Sequence, residues 1–182
     1  PMGVVKKIVK IVAGLMAIAV LILVGLGVQV WFFKPFNINA FFARTAMQVA
    51  LESPQLLTSV HILEQVGIHG HNAKLDDASI AAGERVLDML MESRDTLISY
   101  DDESLNEGDR LSKEIMLPLL DMVSEYVEFR FHSYPVNQLF GEQNGFPTFM
   151  ESSHQVHSVR DAEDYITRLS LVGIKFDQVL EG

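Results

Sequence analysis

From Ile11 to Phe33 the chain reads "IVAGLMAIAVLILVGLGVQVWFF", 23 residues without a formal charge, with Gln29 the one strongly polar side chain. As a helix rising ~1.5 Å per residue this run is roughly 35 Å long, enough to cross a ~30 Å hydrocarbon layer with some tilt. A core helix of a water-soluble domain would need a polar face, and this run has none. Trp31, Phe32 and Phe33 sit where an interfacial aromatic belt sits, and Lys34 follows them. Lys6, Lys7 and Lys10 precede the run, so the positive-inside rule places the N-terminus in the cytoplasm and the remainder outside. A secretory signal has a shorter apolar core and a small-residue cleavage site, whereas this run is long and ends in "VQVWFF". Residues 1–34 are therefore expected to be a basic tail and an uncleaved single-pass anchor, with the lipid bilayer as a partner.

Beyond the anchor the charge reverses. From Glu52 onward there are 24 acidic residues against nine basic ones, a net of −15. Nucleic acid is excluded as a partner, because phosphate binding needs clustered lysine and arginine. With no cysteine in the chain there is no disulfide, thiolate metal site or cysteine nucleophile.

Residues 35–182 are long enough for one domain with its own core, and the periodicity throughout predicts an all-α fold without strands. Ile38–Glu52 spaces its apolar residues by three and four, and Ser53-Pro54 opens a second helix with a cap and a first-turn proline. "GIHGHNAKLDD" breaks the pattern at 67–77. A long helix follows from about Ser79 to Ser99, with Val86, Leu87, Leu90, Met91, Leu97 and Ile98 as its expected buried stripe. Ser104 with Glu107 predicts a capping box for the next helix, and Pro118 predicts a kink within it. Ser158 caps the last helix, with Asp161, Glu163 and Asp164 near its positive end. Between the last two long helices lies an irregular loop near 130–150, "HSYPVNQLFGEQNGFP" at its centre, whose one formal charge is Glu142.

No catalytic constellation is visible. The pairs His69-x-His71 and His154-x-x-His157 have metal-ligand spacing, but neither brings a third ligand nearby in sequence, and no His-Glu-x-x-His helix exists. Nucleophile-elbow, phosphate-loop and dinucleotide fingerprints are missing. "DDES" at 101–104 lacks the register of a calcium loop and reads as a solvated turn. The residues thus assign no catalytic and no metal-binding role and no cofactor to this chain.

"HNAKLDD", "YPVNQLFGEQNGFPTFM" and "HQVHSVRDAEDYITRL" resemble the N-terminal region of the bacterial family termed domain of unknown function 885, from about Asn37 to the end of the chain. The resemblance implies an all-helical, zinc-metallopeptidase-like hydrolase whose metal motif, His-Glu and then Pro-Gly-His-His, lies far downstream and is not in these residues. Zinc is therefore expected in a complete homologue, and this chain, opening with Pro1 ahead of Met2, is expected to be the leading portion of such a protein. It also implies a bacterial inner membrane for the anchor and a peptide as the substrate. On this reading Tyr134, Asn137, Gln138 and Gln143 are candidates to line a peptide groove, with Phe146 as a further wall and His154 beside it. The alternative for the same amides is that they satisfy backbone groups inside a crossover loop. The rival class is a non-enzymatic, membrane-anchored helical sensor or assembly protein.

Overall fold

A computed structural model describes residues 2–132 and 134–181. Their secondary structure is helical: α1 Met2–Phe32, α2 Ile38–Glu52, α3 Pro54–Val60, α4 Ile80–Ile98, α5 Glu107–Tyr126, α6 Glu142–Ser152 and α7 Val159–Glu181, with short 3-10 turns between some of them. No strand occurs among the described residues. The chain divides into two compact units, 1–44 and 45–182, with the boundary inside α2.

In the first unit, Val9–Phe32 of α1 has a mean hydropathy of 2.9 and none of it is buried, so this helix is long and apolar enough to cross a bilayer as an anchor or a signal sequence. Side chains take up one carbonyl of its last turn, that of Val30, and those of the two residues just past its end. Arg44 donates to Phe33 O at 2.8 Å and Val30 O at 3.4 Å. Gln29, the polar exception of the apolar run, donates to Lys34 O at 2.6 Å. Asn37 starts α2 by accepting from Asn39 N at 2.7 Å.

In the second unit the caps largely follow the chemistry of the sequence. Ser53 caps α3 with Pro54 in its first turn, and Ser79 caps α4, each accepting a backbone N–H with its side chain. The expected capping box of α5 is displaced. Ser104 lies in a 3-10 turn and donates to Asp101 O at 2.7 Å, while Asn106 holds Asp109 N at 2.9 Å and is the true cap. An Asn in that position competes effectively for the end of a helix, so the Ser104/Glu107 pair is not used. Within α4, Leu97 is fully buried and Val86, Leu87, Leu90 and Met91 are half-buried, but Ile98 is exposed. The helix ends there, and its last residue no longer faces the next layer. Helix α5 runs continuously through Pro118.

Helices α4 and α5 pack antiparallel. Lys113 donates to Tyr100 O at 2.5 Å and pairs with Asp102 at 2.7 Å, and further along Arg94 meets Asp121 at 2.5 Å. The core of the unit gathers Leu57, Ala82, Leu97, Tyr100, Leu120, Phe146, Met150 and Val179.

The irregular stretch expected near 130–150 is narrower, because residues 142–152 form α6 despite Gly145 and Pro147. Phe146 and Met150, one turn apart, are both buried and supply the apolar face that propensity alone withholds. Glu142 N donates to Pro135 O at 3.1 Å and ties the helix start back to the loop. Gly141 is required at this corner, since a Cβ there would lie 2.6 Å from Asn137 N.

Candidate functional site

Arg168, on α7, is wholly excluded from solvent, and its guanidinium ties that helix to three other stretches of the chain. Nε donates to Lys74 O at 2.8 Å and Nη1 to His154 Nδ1 at 2.6 Å. Nη2 donates to Thr58 Oγ1 at 2.6 Å and His71 O at 3.0 Å, with Pro54 O at 3.5 Å. The ring of Phe149 on α6 lies 4.9 Å from the guanidinium carbon. Burial pushes this guanidinium down to about 10, and the charges of Asp76, Asp164 and Glu64 oppose that fall, so the group remains a cation at neutral pH.

The neighbours of Arg168 are themselves fixed. Arginine has no acceptor, so His154 Nδ1 carries the lone pair and its Nε2–H donates to Asp161 O at 3.1 Å. The ring of Tyr165 stands at 86° to the same imidazole, centroids 5.2 Å apart. Thr58 passes its own proton to Asn72 Oδ1 at 2.8 Å, with Pro54 O at 3.0 Å as the competing acceptor. Asp76 accepts from Ser53 Oγ at 2.8 Å and Gln55 N at 2.9 Å, locking the 67–77 loop to the start of α3. Lys175, also buried, reaches Gln55 Oε1 at 3.1 Å and Glu142 at 3.5 Å, which ties α7 to α3 and to the start of α6. At the start of α7 the expected cap is present: Ser158 Oγ accepts from Asp161 N at 3.2 Å, and Asp161 returns by accepting from the backbone of His157 and Ser158. Those bonds, the one from His157 first, hold the Asp161 carboxyl below the usual range.

Two concavities flank this hub. The first, of about 270 Å³, is lined by Thr58, Glu64, Asn72, Gln155 and Asp161 together with four histidines: His61, His69, His154 and His157. One histidine of the first sequence pair and both of the second thus meet here. His71 is instead buried against Glu64, 2.8 Å away. Burial opposes the charge on Glu64, but its backbone hydrogen bond and His71 outweigh it and hold the carboxyl below its ordinary value. Among the described residues no group of three or more histidines and carboxylates is placed to hold a metal ion, so the zinc of the resemblance has no site in them.

The second concavity is a groove of about 420 Å³ along α6, lined by Leu139, Phe140, Asn144, Gly145, Thr148, Phe149 and Ser152. Asn144, Thr148 and Ser152 stand at successive turns and form a polar ladder; Thr148 and Ser152 each donate to the carbonyl four residues earlier, which leaves their lone pairs as acceptors. Phe149, braced by Arg168, and Leu139 with the strongly exposed Phe140 supply the apolar part of the lining.

None of the candidates read from the sequence is among the residues that line this groove. Asn137 folds the loop that carries Leu139 and Phe140: its Oδ1 accepts from Leu139 N at 3.0 Å and Phe140 N at 2.8 Å, and its Nδ2 donates to Tyr134 O at 3.1 Å. Gln143 donates to Asn137 O. Tyr134 and Gln138 are exposed on the same loop, Phe146 is in the core, and His154 belongs to the hub and the histidine-lined cavity. The polar ladder of the groove is absent from the residues that the sequence suggests. Its signal is the four-residue spacing of Asn144, Thr148 and Ser152, masked by Gly145 and Pro147, which break a helical reading.

The hub gives a physical reason for two of the sequence stretches quoted above: "HNAKLDD" supplies the carbonyls and Asp76, and "HQVHSVRDAEDYITRL" supplies His154 and Arg168. No curated protein and no solved structure matches the chain. The bacterial family of proteins of unknown function DUF885 matches residues 63–182, starting later than the Asn37 of the sequence resemblance but taking in all three stretches, and this chain belongs to that family.

Proposed function

We propose that the chain is the membrane-anchored front part of a peptidase-like hydrolase, whose helical body supplies a groove for an extended peptide and whose hydrolytic groups come from outside these residues. The observation that carries this reading is the α6 groove, whose lining combines the apolar Leu139, Phe140 and Phe149 with the amide and hydroxyl groups of Asn144, Thr148 and Ser152. Such a surface can bond a peptide backbone while accepting apolar side chains, and it adds no charge. Asn137 and Gln143 hold the loop of Leu139 and Phe140 in shape, Tyr134 and Gln138 stand on the same loop, and His154 acts through Arg168 and Phe149. The zinc of the resemblance enters no step here, since the described residues do not form a site for it. The anchor lies in the bacterial inner membrane, with Lys6, Lys7 and Lys10 on the cytoplasmic side and the acidic body outside.

The test uses the protein from the whole reading frame in proteoliposomes, with fluorescent extended peptides, hydrolysis and bound zinc as readouts. Phe140→Ala and Asn144→Ala are each expected to weaken peptide binding about tenfold, which is ~1.4 kcal/mol, without changing the melting curve. Wild-type affinity in both variants removes the groove from the proposal. A protein that binds no peptide and no stoichiometric zinc is the sensor or assembly protein of the rival reading. Protease added outside intact spheroplasts should digest the body; protection would reverse the orientation.

A further inference from the structure

Helix α5 buries one face and leaves a second apolar face uncovered. Lys113 and Leu120 are on the buried side, against α4. On the other, Leu111, Ile115, Leu119, Met122 and Tyr126 are 55, 56, 46, 48 and 67% exposed. Their spacing of four, four, three and four residues keeps them in one stripe, roughly 22 Å long at ~1.5 Å per residue. Isolated exposed leucines are ordinary, but five large apolar side chains aligned on one helix mark a surface that is covered in use.

The charges beside the stripe decide what covers it. Glu114 and Glu125 border it on one side, and the carboxylate of Asp121 is already committed to Arg94. A bilayer is a poor occupant: from Glu52 onward the chain carries a net charge of −15, which an anionic lipid surface repels, and the two bordering glutamates stand at the contact itself. A second copy packed antiparallel on the stripe would set these same acids against each other across the two-fold axis. We infer that the α5 stripe is a docking surface for an amphipathic helix of another protein, with an apolar stripe bordered by lysine or arginine. Apolar side chains of that helix would cover Ile115, Leu119 and Met122, and its basic border would meet Glu114 and Glu125.

The test titrates the full chain in nanodiscs with a fluorescent synthetic helix of about five turns, leucines at the same spacing and lysines beside them. The comparison peptides are a scrambled sequence of equal composition and a version with glutamates in place of the lysines. Binding is expected to be at least about tenfold tighter for the first peptide than for either of the others. Ile115→Glu and Met122→Glu should each weaken it about tenfold, and both sites are exposed, so the melting curve should not move. Glu114→Lys with Glu125→Lys should invert the preference between the lysine and glutamate peptides, a result that does not depend on how the apolar variants fold. Equal binding of the scrambled peptide, or wild-type binding by the charge-reversed variant, overturns the inference. So does disulfide dimerisation of Met122→Cys in this otherwise cysteine-free chain, which would make the occupant a second copy. Binding by this chain but not by the protein of the whole reading frame would put a segment of that same protein on the stripe, and overturns it as well.

Discussion

Replacing Arg168 with leucine is expected to destabilise the helical body by about 3–5 kcal/mol. The substitution takes the arginine donor from His154 Nδ1, Thr58 Oγ1 and the carbonyls of Lys74 and His71, of which His71 O alone keeps a backbone donor, Lys74 N at 3.0 Å. Each buried acceptor that loses its partner costs about 1–3 kcal/mol, and relaxation recovers only part of the sum. The leucine also removes the cation that faces Asp76, Asp164 and Glu64, and the support beneath Phe149. Lysine keeps the charge but has no planar fork, so Arg168→Lys should recover less than half of the loss. Far-ultraviolet circular dichroism during urea unfolding is the appropriate measurement, because the one tryptophan, Trp31, lies in α1 and does not report on the body. A loss below about 1 kcal/mol for the leucine variant would mean that the hub is not what joins these segments.

Asp76→Ala should cost about 2–3 kcal/mol in the same measurement. One carboxylate oxygen holds Gln55 N and the other holds Ser53 Oγ, so the side chain secures the first turn of α3. It is also the leading favourable charge for the buried Arg168. The two substitutions should therefore be coupled by roughly 1 kcal/mol, with the double variant losing less than the separate losses combined. Strict additivity would show that Asp76 acts through its hydrogen bonds alone.

Local signals in the sequence are reliable where a single residue type settles the matter. Ser53 and Ser158 each cap the helix they announce, because a hydroxyl one residue ahead of a helix satisfies a nearby donor. The cap at Ser104 fails because two capping residues lie close together, and Asn106 takes the first-turn donor, Asp109 N, in its place. Helix α6 is hidden for another reason. Gly145 and Pro147 carry poor helical propensity, and the burial of Phe146 and Met150 that offsets it depends on residues distant in the chain.

The candidate site is less legible. The amides of Asn137 and Gln143 are visible, but not that they serve the loop itself, nor that the groove forms one turn further on. The two histidine pairs are visible as well, and only the fold brings His61 and His69 to the same cavity as His154 and His157.

Helicity, one helix of bilayer length and an acidic body can all be read along the chain, because period, apolar run length and charge are local properties that simply add up. The partners of Arg168, the place of the groove and the uncovered face of α5 emerge only on folding. They depend on which distant residues exclude water from one another, and no pattern read along the chain contains that information.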